Sequence, residues 1–518
     1  MQKANIARLE LSHDHALWLE TKRNIPSELA AEMGIVSQGK NVVFEYRRNG
    51  ELLWRQVRMA TSEGKTFACY APDGRTLKEA GIELSFWNED DLLDTSVPEA
   101  PRVITEGQFD TASFRAAGAT YVGSVPNGAV DRMGEGEIIA SEDRQFAYLW
   151  ELDPSSKGRY RLRGGLATAK KIILATDDDK AGHVLREELS IRLGRTRCWY
   201  LTYPQQVIAD LGRPCKDANE VHVHLGLDAV VDMLADARPM VPDRLVRFSD
   251  ISIRKREPVS SGWPDLNSNL MIVRPELMIL TGPPNHGKTQ LAQAIGANLA
   301  YCHGWPGSVI QFEDDIERAR EGFARYWLGR EGRAAPPGPL TAEQYQEAAP
   351  WLDRMLRTIV PSEELDDEVY DLAWLRRNID EAATRHGHRW VIIDPWNEIE
   401  HVFPKGQTEA QYLNDALRSI KRLGRRYQML IMLVAHPDKE GGREPKIENW
   451  SLYNMAGGAV WNNKADHGII VHRPDPDEAT CHVKIAKSKW HNVMGRPGIV
   501  RMRFRPTLGT YEYVGAGA

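Results

Sequence analysis

The 518 residues carry a net charge of −6 with 42% hydrophobic side chains, enough for about two to four domains and more than one buried core. No global basic field advertises nucleic-acid binding, so any such site must be a local stripe or loop. Cys69, Cys198, Cys215, Cys302 and Cys481 stand singly, without zinc or disulfide spacing; the first residues lack an apolar signal core and no stretch approaches a membrane span, so a reducing cytoplasm is expected.

Residues 1 to about 100 read as a small α+β unit. Ile25 to Ile35 suits a helix begun by Pro26 and Ser27, and NVVFEYRR with ELLWRQVRM forms a hairpin across Asn49-Gly50. Its Arg55, Arg58 and Lys65 either face a nucleotide or template or make one solvated face.

From Pro101 short apolar strands alternate with helices, which predicts a parallel sheet with functional residues at the strands' carboxyl ends. VIT ends in Glu106-Gly107, ATYVGSVPNGA supplies another strand, KKIILAT runs into Asp177, Asp178 and Asp179, and RCWYLTYP follows a helix. Carboxylates gathered at strand ends suit Mg²⁺ or Mn²⁺. The three aspartates could equally cap the helix that follows. LDAVVDMLADARPMVP is an amphipathic helix, either a passive linker or a contact for a neighbouring subunit.

LMILTGPPNHGKTQLAQAIGANLA, residues 277–300, has the strand, Gly/Pro turn and helix that a phosphate-binding loop requires. Gly282, Pro283, Pro284, Asn285, His286, Gly287, Lys288 and Thr289 form its loop. The glycines let successive N–H groups point inward, Lys288 reaches the β- and γ-phosphates and Thr289 offers a hydroxyl to Mg²⁺. SVIQF, WVIID, MLIMLV, GIIVH and HVKIA join LMILT in an open, mostly parallel α/β sheet. SVIQF delivers Glu313, placed to activate water or to begin a helix, and WVIID ends in Asp394, a second Mg²⁺ ligand.

Glu106-Gly107, Asp177-x-Asp179 and Lys216-Asp217-Ala218-Asn219-Glu220 resemble the TOPRIM catalytic fold of phage-type primases, and the segment from Ser261 into the loop resembles the RecA-like core of DnaB-type helicases. The order of parts resembles the bifunctional primase-helicases and Twinkle-like replicative DNA helicases, over nearly the full chain. The resemblance implies a primase-like α+β subdomain (1–100), a TOPRIM domain (101–225), a linker helix and subunit-contact segment (226–255) and a RecA-like ATPase (256–518). By position it implies metal on Glu106, Asp177 and Asp179, support from Asp217, and Lys216 near phosphates. It also implies Glu313 as base, His436 as γ-phosphate sensor, Lys439, Arg443 and Lys446 along a single strand of DNA, and Lys487 and Lys489 reaching a neighbour's ATP site. Related motors carry Lys-x-Arg there, so either Lys489 or another residue such as Arg496 does that work.

The function implied is an ATP- and Mg²⁺-dependent hexameric or heptameric ring helicase moving 5′ to 3′ on single-stranded and forked DNA, alongside a polymerase and a single-strand-binding protein, in a bacterial or phage setting. No four-ligand Cys/His set is present, so no zinc is expected. The TOPRIM half either synthesises RNA primers or serves as a DNA-binding or structural domain. A further alternative is an ATP-switched DNA-binding scaffold with little unwinding.

Overall fold

The computed structural model describes residues 9–61, 64–126, 128, 146–155, 159–241, 257–312, 316–360, 369–403, 405–438, 446–475 and 477–516. They fall into two compact units that part near residue 251.

The N-terminal unit begins with an antiparallel meander of β1 (Ile35–Gln38), β2 (Asn41–Arg48), β3 (Glu51–Thr61) and β4 (Gly64–Tyr70). Asn49 and Gly50, at φ 52° and 76°, make the left-handed two-residue turn whose twist matches a hairpin. Val42, Phe44, Tyr46 and Trp54 pack beneath Leu19, Ile25 and Trp87, while Val36, Val43 and Val57 form a smaller cluster.

A second sheet has the order β11-β10-β9-β5-β6, built from β5 (Arg102–Thr105), β6 (Val122–Ser124), β9 (Ile172–Ala175), β10 (Cys198–Tyr200) and β11 (Arg238–Pro239). β7 (Trp150–Leu152) and β8 (Tyr160–Leu162) pair separately. β5, β6, β9 and β10 are parallel, and alternate residues enter two clusters, Ile104, Ile172 and Leu174 in one, Val103, Ile173 and Ala175 in the other. Double-sided burial explains why β9 reads as an unbroken apolar run. The helix Leu227–Ala235 buries Val230 and Met233 in the second cluster, so it belongs to this unit's own core.

In the C-terminal unit β12 (Val259–Ser260) pairs with β13 (Met271–Ile272). The main sheet contains β14 (Glu276–Thr281), β15 (Gly307–Gln311), β16 (Leu356–Ile359), β17 (Trp390–Asp394), β18 (Leu430–Val434), β19 (His467–His472), β20 (Thr480–Ser488), β21 (Gly498–Arg505) and β22 (Thr510–Ala516). Their order is β16-β15-β17-β18-β14-β19-β20-β21-β22, and the six strands from β16 to β19 run parallel in a RecA-like arrangement.

Three details refine the sequence reading. HVKIA lies in β20, antiparallel to β19, because residues 473–479 are too few for the crossover that a parallel neighbour needs. β16 carries only partly buried side chains, hence its weak signal. Over residues 446–464 Trp450, Leu452, Met455 and Trp461 are buried around short 3₁₀ turns and the helix Gly458–Lys464. These anchors lack periodicity, which hid them.

Candidate functional site

At the carboxyl end of β14 the chain turns through Gly282, at φ 145°, where a β-carbon would lie 2.1 Å from the Val471 carbonyl oxygen. Asn285 and Gly287 are also left-handed, at φ 62° and 94°, and lead into the helix Lys288–His303. The loop therefore presents the open N–H groups of a helix start, as an anion site requires. Lys288 is buried, with Nζ donating to the Pro283 carbonyl at 3.0 Å.

A cavity of about 470 Å³ gathers Pro284, Asn285, His286, Gly287, Lys288, Thr289, Asp394 and His436. Asp394, buried at the tip of β17, stands in register with Gln311 at the tip of β15. His436 follows β18, and its N–H donates to Asn397 Oδ1 at 2.9 Å. Adjacent strand ends thus bring together residues far apart in the chain.

Sequence reasoning missed other parts of this wall: Gln311, Arg318, Arg473, Cys481, Phe504 and Tyr511. Tyr511 Oη donates to the Gly287 carbonyl at 3.1 Å, tying β22 to the loop. His286 Nδ1 accepts the Arg473 N–H at 2.9 Å. Burial, then His472, Lys288 and Arg473, push the His286 imidazole down to about 4, so it stays neutral. None of these partners has a local sequence signal.

Glu313, Lys439 and Arg443 lie outside the described residues, while Lys446 is exposed just before the turn Ile447–Asn449. Lys487 donates to the Asn462 carbonyl, and Lys489 Nζ is 3.4 Å from the Asp466 carboxylate, which Lys421 also meets at 2.7 Å. Arg496 is held through its backbone by Ser268. These three cations do not line the cavity.

The N-terminal unit assembles a carboxylate cluster. Glu106 follows β5 and accepts the Asp177 N–H at 3.3 Å, and Lys216 Nζ lies 3.1 Å from both Asp177 and Asp179. Asp179 caps the helix Lys180–Leu193 and Asp217 caps Ala218–Leu225. Capping and clustering therefore coexist. Asp110, unforeseen from sequence, is buried in the same cluster and accepts the Asn219 N–H at 2.9 Å. A fourth-residue offset from Glu106, on the next helix's first turn, was the available signal.

Burial, with Glu106 and Asp217 nearby, pushes Asp177 up to about 7. Burial, then Asp217 and Asp177, raises the Asp110 carboxyl well above its ordinary range. At Asp179 burial is outweighed by the Gly182 N–H and Lys216, which hold the carboxyl low. No three Asp, Glu, His or Cys side chains among the described residues converge as a ready metal site. Lys216 already bridges two of the carboxylates. The donor set remains all-oxygen and mutually repulsive, which fits a hard divalent ion. Arg55 is paired with Glu45 at 2.8 Å, whereas Arg58 stacks over Trp18 beside Arg23, and the field of Asp217 reaches both Arg23 and Lys65.

Residues 238–442 match the family model described as an AAA domain. Over 496 residues the chain is 28% identical to the Twinkle homolog protein, chloroplastic/mitochondrial, of Arabidopsis thaliana, covering 91% of this chain and 64% of that protein. It is 29% identical over 199 residues to the primase homolog protein of Arabidopsis thaliana, covering 38% of this chain and 50% of the relative. The chain thus spans less than two thirds of either relative. Solved structures that resemble it include an isolated ATPase domain, with a TM-score of 0.40 and 13% identity over 49% of this chain and 91% of that one. Another is a DnaB-like replicative helicase studied with primase, with a TM-score of 0.39 and 13% identity over 49% and 62%. No helix among the described residues is long and apolar enough to cross a membrane.

Proposed function

We propose that this chain is a Twinkle-like primase-helicase whose C-terminal unit is an ATP-driven motor that opens duplex DNA. The observation that carries this reading is the single cavity shared by Lys288, Thr289, Asp394 and His436 at the tips of adjacent parallel strands. Lys288 and the loop N–H groups bind the β- and γ-phosphates. Thr289 and Asp394 are oxygen donors on one cavity and fit Mg²⁺, which supplies charge neutralisation between the phosphates. Glu313 takes a proton from water, and His436 relays the state of the γ-phosphate through Asn397. Cys481, Phe504 and Tyr511 offer an apolar end for the base.

The motor forms a hexameric or heptameric ring and moves 5′ to 3′ on single-stranded and forked DNA. Lys439, Arg443 and Lys446 follow the strand's phosphates. Lys487 and Lys489 lie away from their own cavity, which supports delivery to a neighbouring subunit. The domain limits 1–100, 101–225, 226–255 and 256–518 belong to the same proposal, with the first helix of the third segment packed on the N-terminal unit. A bacterial or phage cytoplasm is the proposed setting, although the first relative's name places that protein in organelles. The test is strand displacement by Lys288→Ala: the rate is expected to fall at least about 100-fold, and wild-type unwinding would refute the reading.

A second reading, primer synthesis, is favoured by the cluster of Glu106, Asp177, Asp179 and Asp217 beside Arg23 and Lys65. It expects labelled oligoribonucleotides from NTPs, Mg²⁺ or Mn²⁺ and a single-stranded template. Undiminished product from Glu106→Gln would reject it.

A further inference from the structure

Gln311 and Arg318 line the nucleotide cavity, yet no role above uses them. Gln311 closes β15 in register with Asp394, and is 7% exposed. Its amide oxygen is buried and meets no hydrogen-bond partner among the described residues. Buried polar atoms are seldom left so, and one kept at the wall of a ligand cavity calls for a donor that arrives with the ligand. Arg318 stands on the first turn of the helix Ile316–Arg330, and borders the cavity that holds Lys288, Thr289 and Asp394. Both side chains also border an adjoining cavity of about 240 Å³, together with Thr289 and Gln290.

We propose that Gln311 and Arg318 meet the nucleotide's terminal phosphate from within the same subunit. This rests on the ATPase reading and deepens it. During hydrolysis a water oxygen forms a bond to the γ-phosphorus, the bond to the bridging oxygen breaks, and the diphosphate leaves with that electron pair. The water's proton passes to a carboxylate base. Arg318 presents its planar fork to the equatorial phosphate oxygens, where charge spreads in the transition state. Gln311 accepts a hydrogen bond from the attacking water, satisfying its orphaned oxygen and orienting the nucleophile. A cation from a second subunit then adds to, but does not replace, a guanidinium already in place.

The test measures binding of ADP alone, and of ADP with aluminium fluoride, to full-length protein in Mg²⁺. Wild type, Gln311→Leu, Arg318→Ala, Arg318→Lys and Lys489→Ala are compared. ADP affinity is expected to stay within about twofold throughout, because the diphosphate does not reach these side chains. The extra affinity conferred by aluminium fluoride should fall at least about 100-fold in Arg318→Ala and about 10-fold in Gln311→Leu, recover in part in Arg318→Lys, and fall less in Lys489→Ala than in Arg318→Ala. Arg318→Ala retaining the full gain would overturn the proposal. So would equal losses of ADP and ADP-fluoroaluminate affinity in Arg318→Ala and Gln311→Leu, which mark a merely structural role. Failure of the underlying ATPase reading looks different: wild type itself would bind no ADP or gain nothing from aluminium fluoride.

Discussion

His286 shows how a single residue of the phosphate loop is set by its surroundings. Its Nδ1 accepts the Arg473 N–H, and burial with His472, Lys288 and Arg473 holds the ring down to about 4. An unfolded histidine titrates near 6.5, so the folded state gains stability above that pH and loses it as pH falls from about 6.5 towards 4. Wild type is expected to lose about 1–2 kcal/mol more than His286→Gln between pH 7 and pH 5, after discounting for the ring's partial exposure. Urea denaturation at the two pH values measures it. Lys288 and Thr289 were legible because a phosphate loop is a local arrangement of a few residues. Tyr511, whose hydroxyl meets the Gly287 carbonyl 224 residues away, was not.

Strands and helices place these residues, and their own constraints are testable. At Gly282 a β-carbon would meet the Val471 carbonyl on neighbouring β19, and φ of 145° is itself hostile to a side chain. Gly282→Ala is therefore expected to cost roughly 3 kcal/mol or more and to weaken nucleotide binding, read by thermal unfolding and ADP titration. The helix Leu227–Ala235 makes a second case: its amphipathic pattern suited a linker or a subunit contact, but the pattern alone does not identify what covers the apolar face. The structure covers it with Val221, Ala218 and their neighbours. Met233→Ala is expected to cost about 2–4 kcal/mol in the N-terminal unit's unfolding transition, whereas a passive linker would tolerate it. The direction of β20 was likewise beyond an apolar run, since a strand reads the same in either direction.

Each unit closes its own core across the whole molecule. The C-terminal core joins Trp263 and Leu270, before the phosphate loop, to Met502 and Tyr511 near the chain's end. Residues 257–518 are therefore expected to unfold cooperatively as an isolated fragment, with calorimetric and van't Hoff enthalpies in agreement. Truncation before β22 is expected to abolish that transition. By itself the sequence determined the parts that depend on near neighbours: the Asn49-Gly50 turn, the buried parallel strands, the loop from Gly282 to Thr289, and acids at strand tips. Only the tertiary structure decided that Gln311 stands beside Asp394, that Lys216 bridges Asp177 and Asp179, and that Asp110 joins them. Local preferences act over a few residues, whereas these meetings depend on strand order and on which loops are long enough to cross the sheet.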